Sequence, residues 1–212
     1  MKPHYIHKLI AEGEHQRLDF KFEIADARKI ARTFVAFANT NGGKLLIGVN
    51  DNGTIAGIRS EEEKYMADNA ANNFSKPVIT FRTKEWTIMG KRVLEIIIPE
   101  GEEKPYFAQD ENGKWLAYIR SGDQNLLANR VLINAWKRKN RPEGVYIHYT
   151  ETEKILLVYL ESNPVISLSK FIKLAGISVQ AAEHILSNFI ALDIIVPVVS
   201  EENILYKLPD QA

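Results

Sequence analysis

Cysteine is absent from the 212 residues, which excludes disulfides, cysteine-ligated zinc, iron–sulfur clusters and thiol nucleophiles. Net charge is absent as well. The 27 basic side chains equal the 27 acidic ones, which excludes a protein that coats nucleic acid through a uniformly basic surface. No apolar run approaches the roughly 18 residues needed to cross a bilayer. The richest, Val93–Pro99 and Ile190–Val199, are short and interrupted by Glu95, Asp193 and Pro197. The start, Met1-Lys2-Pro3-His4, has no apolar segment of the secretory kind. There is no internal repeat and no low-complexity tract. These absences point to a cytoplasmic chain with no membrane partner. Histidine is sparse and unpatterned: His4, His7, His15, His148 and His184 give no metal-ligand spacing and no nucleophile–base pairing, and read as surface residues.

What remains is the composition of an ordinary globular protein, 45% hydrophobic and 25% charged. Leu18, Phe20 and Phe22 alternate with Asp19, Lys21 and Glu23, the period-two pattern of a half-buried strand. Asp26 can cap a helix carrying Ile30, Phe34, Phe37 and Ala38, which ends in Asn39-Thr40-Asn41-Gly42-Gly43. A buried strand over 44–50 and a hairpin turn at Asp51-Asn52-Gly53 into 54–58 follow. The pattern then predicts a helix over 61–74, strands over 78–83, 86–89, 93–99, 106–109 and 115–120, and an amphipathic helix over 125–139. The expected fold is α+β: a mixed or antiparallel sheet with flanking helices over residues 1–140. The charged, proline- and glycine-containing run 137–144 reads as a linker. Residues 145–212 read as three helices (150–161, 167–175, 179–192) and a hairpin (194–199, 204–208), the order of a small winged helix-turn-helix domain.

Charge is unevenly placed. Residues 150–212 hold four lysines, no arginine and eight acidic residues, a net of −4, which leaves +4 on the rest. Outside its apolar face the third C-terminal helix offers Gln180, Glu183, His184, Ser187 and Asn188 and no basic residue, and the hairpin tip carries Glu201 and Glu202. The element order points to DNA contact, while the charge points to protein docking or dimerisation. Near the N-terminus, Asp19 and Lys21 share one strand face, with Glu14 close before and Asp51 at the end of the next strong strand. If the strands are neighbours, three carboxylates and a lysine share one rim and could hold Mg²⁺ or Mn²⁺ against a phosphodiester. The simpler reading makes Asp19 and Lys21 the wet face of an edge strand. The glycine turn 39–43 could offer backbone N–H groups to phosphate, but Ala38 and Leu45 stand where a Walker A motif needs Gly and Ser or Thr. The pattern therefore does not support a conventional ATP site.

Taken together, Glu14 with Asp19-Phe20-Lys21, the block Ala36–Asp51 (AFANTNGGKLLIGVND), Lys104-Pro105-Tyr106 and Tyr118–Asp123 (YIRSGD) resemble the Schlafen AlbA domain over about residues 10–130. Bacterial members often join this domain to a C-terminal winged helix and are described as DNA-binding transcriptional regulators. Eukaryotic relatives include RNases that cut tRNA and rRNA with three carboxylates, which map by motif position onto Glu14, Asp19 and Asp51. Asp19 stands where the family has glutamate, one methylene shorter. The resemblance implies a nucleic-acid-binding regulator, DNA favoured over RNA, forming a homodimer and requiring no cofactor. Lys21, Lys44, Arg120, Lys137, Arg138, Lys139 and Arg141 are the expected phosphate contacts. The alternatives are an endoribonuclease with Mg²⁺ or Mn²⁺ on Glu14, Asp19 and Asp51 and with Lys21 supporting the transition state, and an interaction module that binds no nucleic acid.

Overall fold

The computed structural model describes residues 4–146, 148–200 and 202–210. It divides into two compact units, Met1–Leu127 and Ala128–Ala212.

In the first unit, helix α1 (Tyr5–Glu12) precedes strand β1 (Leu18–Lys21), helix α2 (Ala27–Asn39) and strand β2 (Gly43–Ile47). Asp26 caps α2 as its sequence position predicts, its side chain accepting from the Arg28 N–H. Because α2 crosses between them, β1 and β2 run parallel. Helix α3 (Glu62–Asn73) and the short strand β3 (Ser75–Lys76) lead to the hairpin β4 (Arg82–Ile88) and β5 (Lys91–Ile98), which turns at Met89-Gly90 with both residues at positive φ. The main sheet has the order β1-β2-β5-β4, parallel at one edge and antiparallel elsewhere. The sequence reading expected three strands between 78 and 99, and the chain forms two longer ones there. Residues 54–58 form only an isolated bridge, Val49 to Ile55, rather than a strand. Strands β6 (Phe107–Gln109) and β7 (Trp115–Leu116) extend β3 into a small sheet, and β8 (Tyr118–Ser121) pairs with β9 (Gln124–Leu127).

Both faces of the main sheet are covered. Phe34, Phe37 and Ala67 of α2 and α3 pack on Leu45, Ile47, Leu94 and Ile96. On the other face Ile6 and Leu9 of α1 pack on Leu18, Phe20, Leu46 and Val93. Each such fully buried large side chain contributes roughly 1.5–3 kcal/mol. The glycines at the end of α2 are required by packing. A Cβ on Gly43 would lie 2.5 Å from the Phe37 ring, and one on Gly42, at φ +67°, 2.8 Å from Ile98 O and Glu100 N.

The second unit begins with helix α4 (Arg130–Lys139), then α5 (Glu151–Ser162), β10 (Ile166–Ser167), α6 (Leu168–Ala175), α7 (Val179–Ala191) and the hairpin β11 (Val196–Val199) and β12 (Ile204–Lys207). Its sheet has the order β10-β12-β11, antiparallel throughout. Thr150 and Glu153 form a reciprocal capping box on α5, and Gly176 ends α6 in the left-handed region. The helix expected over 125–139 starts later, because Asn125–Leu127 pair as β9 and Asn129 caps α4 through its side chain. Residues 137–139, expected in a linker, are the last turn of that helix. Nor does α4 close the N-terminal sheet. It lies against α7, and Val131 joins the core built by Leu156, Phe171, Leu186, Phe189 and Tyr206.

Candidate functional site

Asp19 lies on the β1 face opposite Leu18 and Phe20, as alternation predicts, but it is not wet: it is only 3% exposed. Arg120 of β8, 2% exposed, covers it, with Nη2 3.6 Å from Asp19 Oδ1. The same nitrogen donates to Leu18 O at 3.3 Å and His15 O at 3.4 Å, while Nη1 donates to Asn125 Oδ1 at 3.0 Å. Asn125 in turn donates to Thr33 Oγ1 of α2 at 2.9 Å. The Arg120 guanidinium lies over the Phe37 ring, and its Nε has no hydrogen-bond partner among the described residues. Arg120 is therefore an internal clamp joining β8, β1 and α2 rather than the surface phosphate contact expected from the sequence. The loop after it is tied down as well, since Gln16 donates to Arg120 O and accepts from the Gly122 N–H.

Lys21 and Glu14 complete the cluster. Lys21 Nζ is 3.1 Å from Asp19 Oδ1 and 3.9 Å from Glu14 Oε1, and Glu14 Oε1 accepts from the Phe20 N–H at 2.8 Å. Burial, then a hydrogen bond to the Asp19 carboxyl, pushes the Glu14 pKa up to about 7 against the pull of Phe20 N–H and Lys21. Near neutral pH Glu14 is therefore partly protonated, beside the Lys21 ammonium.

Asp51 does not join them. It is an exposed residue of the turn before Gly53, outside this buried cluster. Among the described residues no group of three or more His, Asp or Glu side chains is arranged to hold a metal ion. The three-carboxylate set is thus not assembled, and the residues do not fit Mg²⁺ or Mn²⁺ held by Glu14, Asp19 and Asp51. Lys21 and Arg120 already neutralise the two carboxyls that do converge.

The remaining expected contacts separate into two kinds. Lys44 of β2 bonds Tyr5 Oη at 2.5 Å and lies 3.6 Å from Glu95, a 1%-exposed carboxylate that also accepts from Tyr5 Oη and Trp86 Nε1. This network pins α1 to the sheet and went unseen in the sequence, where Glu95 only interrupts an apolar run. The glycine turn is likewise structural. Asn39 exchanges hydrogen bonds with Tyr106 and donates to Tyr118 O, while the Thr40 and Gly42 N–H groups are taken by Phe37 O. At the end of α4 the picture differs. Lys139 pairs with Asp193 at 2.8 Å. Lys137 and Arg141 are exposed, and neither they nor Arg138 pairs with a carboxylate among the described residues.

The polar face of α7 is largely closed by α4. Ser187 is fully buried and donates to Val131 O and Glu183 O, and Asn188 is buried. His184 receives Arg138 at its carbonyl (2.8 Å) and at Nδ1 (2.9 Å). Burial and the Arg138 charge hold the His184 pKa below its ordinary value, so the ring accepts as neutral imidazole. Of the acidic hairpin tip, Glu202 is exposed and Glu201 lies outside the described residues.

A parallel-edged mixed sheet between one helix and a helix pair, with an arginine clamped onto its first strand, makes the first unit an α+β domain. The family model "Schlafen, AlbA_2" matches residues 14–129, more than half of the chain, and the chain belongs to that family. Among curated proteins there is no match. Similar solved structures include the DIP2311 protein from Corynebacterium diphtheriae, 20% identical with a TM-score of 0.46, covering 66% of this chain. This chain spans about a third of that protein's length (32%). The N-terminal domain of a RecG-related protein from Nitrosomonas europaea is 19% identical with a TM-score of 0.43, covering 70% of this chain and 98% of its own. No helix in the described residues is long and apolar enough to cross a membrane.

Proposed function

We propose that the chain binds nucleic acid through phosphate contacts at the end of α4, and that residues 145–212 form a winged helix-turn-helix. One observation carries the first reading. Of the expected contact residues, Lys21, Lys44, Arg120 and Lys139 are matched by carboxylates, whereas Lys137, Arg138 and Arg141 meet none among the described residues. Cations near one helix end that no carboxylate neutralises are what phosphate needs, because each contact releases a condensed counterion. The winged-helix reading is supported by the order helix, strand, helix, turn, helix, hairpin and by the β10-β12-β11 sheet. Membership of the AlbA_2 family over residues 14–129 supports association with nucleic acid.

Binding of the full chain to labelled duplex DNA and to single-stranded RNA, measured against salt, tests the proposal. The expected slope of log affinity on log salt is clearly negative. Replacing Lys137 and Arg141 together by Gln should reduce its magnitude by about 2, while Lys44→Gln leaves it unchanged. Absence of binding to both nucleic acids at low salt overturns the reading.

A further inference from the structure

The second unit contains a cavity of about 540 Å³ between the end of α4, the chain that follows it and α7. Its lining includes Arg138, Arg141, Glu143, Tyr146, His184 and Asn188. That volume lies in the range of small-molecule sites, which typically pair a concave surface with a few converging polar groups.

Asn188 is the pointed feature. It is 7% exposed, it lines the cavity, and its side-chain amide makes no hydrogen bond with any described residue. Neither of its amide atoms is among the sealed, unpaired polar atoms of the described residues, so the amide is open to the cavity rather than stranded. An amide held this way offers one donor direction and one acceptor direction to whatever enters. The second feature is charge. Arg138 is fixed by its two bonds to His184, Arg141 stands beside it, and neither guanidinium meets a carboxylate. Burial and then the Arg141 charge lower the Arg138 pKa, as expected of two like charges with no anion between them. Glu143 on the same lining disfavours a bare anion and calls for a ligand that also carries hydrogen-bond donors. Finally, Tyr146 is 84% exposed and lines the same cavity.

We propose that this cavity binds one nucleotide: its phosphate against Arg138 and Arg141, its base edge on the Asn188 amide, and its ring stacked on Tyr146. An asparagine amide matches the paired donor and acceptor of a base edge, guanidinium forks match phosphate, and aromatic rings stack on unpaired bases. The nucleotide is either free or a residue of an unpaired strand. In the strand form the inference rests on the nucleic-acid reading above, and in the free form it does not.

The test uses the full chain with the four nucleoside monophosphates, a 12-residue single strand of RNA or DNA, and a duplex of the same sequence. The expected result is binding of a monophosphate or preference for the single strand, weakened about tenfold by Asn188→Leu and also by Arg141→Gln at the exposed rim. Because Asn188 has no protein partner to lose, Asn188→Leu should leave the thermal midpoint unchanged or raised. A lowered midpoint in Asn188→Leu, or binding that neither substitution changes, overturns the proposal. Salt-dependent duplex binding without single-strand preference and insensitive to Asn188→Leu sinks the cavity but leaves the nucleic-acid reading standing. Monophosphate binding with no binding of either nucleic acid does the reverse.

Discussion

Arg120 holds together three elements that are distant in sequence, and its energetic weight follows from burial. Removing one partner of a buried ion pair strands the other, at a cost of about 3–5 kcal/mol. Arg120→Met should lower stability by that order in chemical denaturation, while the double substitution Asp19→Asn with Arg120→Met should recover part of the loss. Glu14 gives a second residue-scale prediction with a definite sign. Its folded pKa of about 7 exceeds the ordinary carboxyl value of 4.5, so the folded chain binds the proton more tightly than the unfolded chain. The stability from this group is fully present below about pH 4.5 and is lost as pH rises through 7. Glu14→Gln removes the ionisation while keeping an acceptor for the Phe20 N–H. The variant should gain on the wild type as pH rises from 5 to 8, by less than the full shift implies because solvent screens the partly exposed side chain, and a stability difference constant over that range contradicts the assignment. At this scale the sequence was half legible. Alternation placed Asp19 and Lys21 on one face correctly, and motif position paired Glu14 with Asp19. It could not show that Asp19 is dry, because the residue covering it lies about a hundred positions later. Glu95 was invisible for the same reason: its partners Tyr5, Lys44 and Trp86 come from three other elements.

Among the elements, those written in local chemistry were readable in advance. Asp26 before α2 was read this way; the Thr150–Glu153 box at α5 and Gly176 after α6 also act only on near neighbours, but the sequence reading did not single them out. The strand pairs of 78–99 were cut in the wrong places, since β4 is a largely exposed edge whose Arg82–Thr87 stretch carries no clean alternation. The most consequential miss is α4. Its apolar stripe of Val131, Leu132 and Ala135 was plain, but a stripe does not name the surface that it covers. Ser187 and Asn188 read as groove-facing polar residues of the last helix because nothing local in the sequence signals that α4 lies against it, with Ser187 bonded to Val131 O. With α4 there, contact with nucleic acid moves from the α7 face to the end of α4 in the reading proposed here.

For the whole molecule, the boundary at Leu127–Ala128 redraws the charge map. Split there, the first unit has 18 basic and 18 acidic residues and the second has nine of each. The +4 assigned to the N-terminal portion belongs to residues 128–149, five basic against one acidic. The opposing −4 belongs to the rest of the same unit.

A single backbone cut shows what α4 does there. Arg141-Pro142-Glu143-Gly144 is exposed on every residue, so a glutamate-specific protease acting briefly on the folded chain should nick it after Glu143. The fragments carry +4 and −4 and would elute far apart on an ion exchanger once unfolded. Under native conditions they should travel as one particle, because the first fragment ends in the helix that plugs the core of the second. Fragments that separate without denaturant would mean that α4 only rests on α7. Co-elution would show that the peptide bond there is dispensable and that the helix is not.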